Sequence, residues 1–210
     1  MQPKLLIFDL FGTLVFPVEK IKKEDFFAFY RSLGIKLKTK EDIDYFTEIF
    51  IKAMKSSLSW EGLSQKIVQE TLGVGDKEIV EKLTNFFKEN VIYQLFDDVK
   101  GIVDLPYKKA ILTDASRFLF SKLNLEEHFK IFTPKETKFS KPDEKAFLAV
   151  LDFFGVRPKE TVMIGDRLEK DLIPAKNLGM ETILIDRENK VEDSPVKKIN
   201  SLRELKEILI

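Results

Sequence analysis

Leu5-Leu6-Ile7-Phe8-Asp9-Leu10-Phe11-Gly12-Thr13-Leu14 is the stretch on which the fold turns. Four apolar residues in a row, closed by a carboxylate, read as a strand buried on both faces, the pattern of a parallel sheet. Gly12 lets the chain leave that strand sharply. In open α/β sheets ligands gather beyond the carboxyl ends of the strands, where Asp9 stands. Two places on is Phe11, a side chain that carries no proton. A plain strand and turn would use the same residues. The chemical reading of Asp9 gains its weight from residues more than a hundred positions further along the chain.

Strand-like runs recur at 4–9, 109–113, 130–133, 161–164 and 181–186, with helical patterns at 116–124, 142–154, 172–178 and 201–210. Strands alternating with helices of this length mean βαβ units, so the expected fold class is α/β with a Rossmann-like parallel sheet. Residues 17–93 break the alternation. They read as successive helices, with apolar stripes at Phe26, Phe27, Phe29, Tyr30 and Leu33, then Ile43, Phe46, Ile49, Phe50 and Met54, then segments 63–72 and 77–90. Gly34, Gly62, Gly73 and Gly75 mark the breaks. The expected organisation is an α/β core at 1–16 and 96–210, and an all-helical cap at 17–95 inserted after the first strand, able to close over Asp9. The aromatic stripes read as helix core rather than a ligand box.

Lys+Arg and Asp+Glu number 35 each among 210 residues, so no net charge draws the chain to nucleic acid or to a membrane surface. Hydrophobic residues make up 44%, enough for a globular core, and no apolar stretch reaches the length of a membrane span. A cytoplasmic location is expected. The absence of cysteine excludes disulfides, thiolate metal sites and cysteine nucleophiles. The lone histidine, His128, lacks the partners that a triad or a multi-histidine zinc site requires and reads as part of a helix-terminal turn. The mixed charges of 187–193 read as solvated surface.

Three further segments join Asp9 at the strand ends. Thr113 and Asp114 come from Ile111-Leu112-Thr113-Asp114, Lys141 from Phe139-Ser140-Lys141-Pro142-Asp143, and Asp166 and Asp171 from Ile164-Gly165-Asp166 and the residues after it. A nucleophilic carboxylate, a hydroxyl, an ammonium and two more acids at one sheet edge suit a phosphate and an Mg²⁺ ion, which favours oxygen ligands. Asp9 is expected to attack phosphorus and become an acyl phosphate. Thr113 and nearby N–H groups would hold phosphoryl oxygens. Lys141, placed just before a helix with Pro142 at its first position, would form an anion site together with the helix terminus. Asp166 would share the metal with Asp9. Asp171 would orient a metal-bound water or Lys141, and is equally placed to cap the helix at 172–178. Asp114 reads either as a supporting residue of the site or as one that turns outward into water and lends only its N–H.

These four segments, in this order and spacing, resemble motifs I to IV of the haloacid dehalogenase-like superfamily, and the helical insert resembles its C1-type cap. The resemblance spans essentially the whole chain. It implies an aspartyl nucleophile at Asp9, a catalytic Thr113 and Lys141, and Mg²⁺ held by Asp9, the backbone carbonyl of Phe11 and Asp166. Asp171 and Asp114 would support them.

One departure matters. Phosphatases of this superfamily carry a second Asp two residues after the nucleophile, which protonates the leaving oxygen; Phe11 cannot. The haloacid dehalogenases carry an aromatic residue there, because halide leaves without a proton. Yet those dehalogenases use no Mg²⁺ and replace the motif IV acids. They place Asn after the motif II hydroxyl and use a cap Arg for the substrate carboxylate. This chain has Asp166, Asp171 and Asp114, and only Lys52 and Lys55 in 51–60, with Arg31 well upstream. The expected function is therefore Mg²⁺-dependent hydrolysis of a small phosphorylated metabolite. A 2-haloacid dehalogenase acting on a halogenated acid without metal is the alternative, and a phosphate-binding or regulatory protein the alternative of another class. Substrate identity and oligomeric state are left open by the sequence.

Overall fold

Leu5–Phe8 form strand β1, and none of the four is exposed to solvent. In the computed structural model, which describes residues 2–19, 22–57 and 59–209, the chain continues through β2 (Val15–Glu19) into four helices. These are α1 (Lys23–Ser32), α2 (Lys40–Ser56), α3 (Trp60–Leu72) and α4 (Lys77–Asn90). Next come β3 (Val91–Leu95), β4 (Lys108–Leu112), β5 (Lys130–Phe132), α5 (Pro134–Thr137) and α6 (Glu144–Phe154). The chain ends with β6 (Thr161–Gly165), α7 (Ile173–Asn177), β7 (Glu181–Ile185), β8 (Lys197–Ile199) and α8 (Leu205–Ile208).

Six strands make one sheet in the order β5-β4-β1-β6-β7-β8, with every neighbouring pair parallel. β1 lies between β4 and β6, so the strand order reverses at β1. That reversal opens a crevice at the carboxyl edge, the place where such sheets bind ligands. In the register, Phe8 pairs with Ile111 of β4 and with Ile164 of β6. Asp9, Thr113 and Asp166 therefore emerge together at that edge. Leu5 and Ile7, Ala110, Leu112, Phe147, Val150 and Met163 share one buried cluster, which ties α6 to the sheet.

The chain divides into two compact units. The sheet unit comprises Met1–Phe16, Leu95–Asp114 and Leu123–Ile210; the helical unit comprises Pro17–Gln94 and Ala115–Lys122. Within the helical unit, α2 starts on a capping box: the Thr39 hydroxyl accepts the Asp42 N–H, and the Asp42 carboxylate accepts the Thr39 N–H. The side chains of Ser59 and Asp76 cap α3 and α4, and Gly73 closes α3 in the left-handed conformation. Tyr30, Phe46, Leu63, Leu83 and Phe87 are buried in this unit's own core, and Phe29 stacks on Phe86 with ring centroids 3.8 Å apart. The aromatic stripes are helix core, as expected.

Several elements differ from expectation. Residues 116–124 form short 3₁₀ turns (Arg117–Leu119, Ser121–Leu123) instead of an α-helix. The segment passes from the helical unit to the sheet unit at Leu123, and Asn124 breaks it in the left-handed conformation with φ +49°. The helix expected from Pro142 starts at Glu144, because Asp143 is the better cap and accepts the Lys145 N–H at 2.9 Å. The helix expected at 201–210 is a 3₁₀ turn followed by α8, and Ile210 lies outside the described residues. The strands β2 and β3 pair with each other in a separate two-stranded sheet. Among the described residues no helix is long and apolar enough to cross a membrane.

Candidate active site

Asp9 is the first residue past β1, and its N–H donates to Ile164 O at 2.9 Å, which fixes its backbone against β6. The chain then folds into a tight turn. Leu14 and Val15 N–H both donate to Leu10 O, and Gly12 N–H donates to Val15 O at 2.8 Å. Gly12 has φ +81°, and a Cβ there would stand 2.3 Å from Asp166 Oδ2. Only glycine meets both demands. Gly165 plays the matching part on β6, where a Cβ would lie 2.7 Å from Asp171 Cβ. The two glycines allow backbone and carboxylates to approach closely at the sheet edge.

Three carboxylates meet there. Asp9, Asp166 and Asp171 each offer an oxygen, and these oxygens lie within 4.8 Å of one another. The buried Lys141 ammonium pairs with Asp9 Oδ1 and, at 2.6 Å, with Asp171 Oδ1. Asp171 Oδ2 accepts the Arg167 N–H at 3.3 Å. Asp171 sits inside a single π turn, Leu168–Leu172, that precedes α7, so its side chain does not cap that helix. It holds Lys141 instead.

One further expectation is revised, and one alternative falls away. Lys141 is not the residue next to a helix: α6 begins three residues later, and the ammonium turns to the two carboxylates. The Asp114 carboxylate does not turn away to water, because it accepts the Lys141 N–H at 2.9 Å and so ties the second motif to the third. Thr113, buried beside them, donates its N–H to Phe132 O at 3.0 Å. Phe11 is half-buried in the turn and bridges to Val15. His128 is exposed and follows a 3₁₀ turn, its N–H on Leu125 O.

The charges do not balance within this group. Burial, then Asp9 and Asp171 as like charges, push the Asp166 carboxyl up to about 7. Burial and Asp9 also push the Asp171 carboxyl up, against the pull of Lys141. For Lys141, burial alone would lower the ammonium, but the two carboxylates outweigh it and hold its pKa above the ordinary lysine value. Asp166 Oδ1 is buried and has no hydrogen-bond partner among the described residues. An orphaned carboxylate oxygen among hard oxygen donors is what a divalent cation such as Mg²⁺ would satisfy, so the cluster fits a metal ion.

Arg187 is the residue that sequence reasoning missed. It was expected to be solvated, yet its guanidinium is mostly buried and binds Gly12 O, Thr13 O and both oxygens of Asp98. Those partners are 89 to 175 positions away in sequence, so no local pattern could have shown them.

A family model described as haloacid dehalogenase-like hydrolase matches residues 3–179. The chain belongs to that family. Among relatives of this hydrolase, the phosphoserine phosphatase of Thermus thermophilus is 27% identical over 168 residues, 72% of this chain and 68% of that protein. Among solved structures, the 2-haloacid dehalogenase of Pseudomonas syringae pv. Tomato matches with TM-score 0.72 at 18% identity, covering 99% of this chain and 98% of the other. A HAD phosphatase of Thermococcus onnurineus matches with TM-score 0.67 at 24% identity, covering 98% and 97%. At these identities the structural likenesses speak for the fold of the hydrolase.

Proposed function

We propose that this hydrolase cleaves a small phosphorylated metabolite with Asp9 as nucleophile and Mg²⁺ as cofactor. The observation that carries the reading is the cluster of three carboxylates around a single ammonium, with Asp166 Oδ1 orphaned. A phosphate dianion brought to such a cluster needs a further cation, and the orphaned Asp166 oxygen offers that cation a ligand. The kinship with a phosphoserine phosphatase supports the same side.

In this reading a carboxylate oxygen of Asp9 attacks phosphorus, the bond from phosphorus to the leaving oxygen breaks, and an acyl phosphate forms on Asp9. Water then attacks that phosphorus, inorganic phosphate leaves, and the Asp9 carboxylate is restored. Lys141 stays cationic throughout and offsets the charge gathered on Asp9. Asp171 keeps the ammonium in place, and Asp114 holds the Lys141 backbone. Thr113 and backbone N–H groups near Asp9 other than those of Gly12, Leu14 and Val15 hold the phosphoryl oxygens. Asp9, the backbone carbonyl of Phe11 and Asp166 would hold Mg²⁺, which when bound neutralises the carboxylates and the phosphate together. Residues 17–95 are assigned the family's C1-type cap, which selects the substrate, on the strength of their insertion after β1.

Phe11 limits the chemistry. Without an acid at this position the leaving oxygen departs unprotonated, and loss of a general acid costs about 10²–10⁴ in rate. Aryl and acyl phosphates are therefore expected to be turned over at least about 10²-fold faster than alkyl phosphates. The comparison is kcat for an aryl phosphate against a simple alkyl phosphate in Mg²⁺. Equal values would refute the role given to Phe11.

Phe11 also favours a second reading, a 2-haloacid dehalogenase in which Asp9 attacks carbon and halide leaves. Halide release from a 2-haloacid that persists in chelator would establish it.

A further inference from the structure

We propose that Arg187 is a positioning residue for the nucleophile turn, holding the backbone after Asp9 in its working geometry. The inference rests on the proposed roles of Asp9 and Phe11, but the geometry it uses is independent of which substrate is cleaved.

Arg187 follows β7, where the turn is itself fixed: the Asp186 carboxylate accepts the Lys190 and Val191 N–H groups at 2.9 and 2.8 Å. From there the guanidinium reaches back to the loop after β1. Nη2 donates to Thr13 O at 2.6 Å and Nε to Gly12 O at 3.3 Å. Nη1 and Nη2 also grip the two oxygens of Asp98 at 2.8 and 3.0 Å, a bidentate fork. The guanidinium carbon lies 3.7 Å from the centre of the Phe96 ring, and Phe96 packs on Phe16. Asp98 is anchored in turn by the Ser201 hydroxyl and the Leu202 N–H, both at 2.9 Å, and these bonds, with Arg187, hold its carboxyl below the usual range although burial opposes them.

Four of the five guanidinium N–H donors are thus spent on oxygens of the protein itself. Two of them fix consecutive peptide carbonyls at Gly12 and Thr13, the peptides that follow the Phe11 carbonyl. Gly12 holds a left-handed conformation and passes within contact of Asp166, so a small rotation here would move the Phe11 carbonyl and Asp166 relative to Asp9. Misplacement of about 1 Å in a catalytic geometry can cost about 10²-fold in rate. A lysine could not reproduce the arrangement, because one ammonium cannot grip two carboxylate oxygens in a planar fork, stack on Phe96 and reach two carbonyls at once.

The test uses the full chain with Arg187→Met, Arg187→Lys and Asp98→Asn, and reads amide hydrogen exchange and kinetics side by side. Exchange in peptides spanning 10–16 should rise at least tenfold in Arg187→Met, less in Arg187→Lys, and should rise in Asp98→Asn, where the arginine remains but its anchor is weakened. Peptides from α6 and β6 should be unchanged. With an activated aryl phosphate in Mg²⁺, kcat should fall on the order of 10²-fold with KM within about threefold. Unchanged exchange at 10–16, or a rise spread evenly over the whole sheet unit, would overturn the proposal. If the wild type turns over no phosphate ester, the phosphohydrolase reading fails, and the exchange pattern still decides the role of Arg187.

Discussion

Asp9→Asn should lose turnover at least about 10³-fold on any substrate, while the protein remains folded. Removing a covalent nucleophile eliminates the step that all later chemistry depends on, and in other enzymes such a loss reaches about 10⁶. The amide keeps the shape of the side chain and can still meet Lys141 through its oxygen. It removes one of three carboxylates whose oxygens lie within 4.8 Å of one another. Like-charge repulsion in the cluster falls, so the melting temperature should hold or rise, as befits a site where function opposes stability. Kinetics and thermal unfolding of the same preparation check both halves. Retained activity would remove Asp9 from the mechanism, and a collapsed fold would mean that its main role is structural.

Lys141→Met should be the most destabilising change in the site. The ammonium is buried and pairs with both Asp9 and Asp171, so its loss leaves three clustered carboxylates with no cation. Breaking a buried pair by removing one partner costs about 3–5 kcal/mol. For a chain of this size that corresponds to a fall in melting temperature on the order of 10 °C. The sign of the pH dependence follows from Asp166, whose carboxyl is already raised to about 7 in the wild type and would rise further without Lys141. A carboxyl whose folded-state pKa lies above its unfolded value binds protons in the folded state first. Its contribution is therefore present at low pH and is lost as pH rises through the folded pKa. In chelator the deficit should be largest above about pH 7 and should shrink as pH falls towards 5. Added Mg²⁺ should restore part of the lost stability. A deficit that is independent of both pH and Mg²⁺ would mean that lost packing, not charge, sets the cost.

The architecture was legible because the strands that matter are buried on both faces. Leu5–Phe8 and Thr161–Gly165 are continuous runs that a parallel sheet requires, and a carboxylate or glycine at the end of each marks the edge. Lys141, Asp166 and Asp171 were legible through their order along the chain, and the structure brings them to Asp9. What the sequence hid has physical causes. β3 follows α4 directly, with no loop between them, and is only five residues long, so Val91–Leu95 reads as part of the helical block instead of as a strand. β2 contains Pro17, which lowers any strand reading. The start of α6 was misplaced because Pro142 and Asp143 both look like helix starts, and the hydrogen-bonding cap prevailed. Arg187 and Asp98 are far apart in sequence and each sits among other charged residues, so only the folded chain shows that they grip each other and the turn after Asp9.

The central claim is that Asp9 works with a divalent cation on phosphorus. Phosphate release from an activated aryl phosphate, measured in Mg²⁺, then in chelator, then with Mg²⁺ restored, tests it most directly. The account predicts turnover that stops in chelator, returns with the metal and is absent in Asp9→Asn under every condition. Turnover unaffected by chelator, or none with any divalent metal while halide is released from a 2-haloacid, would contradict it.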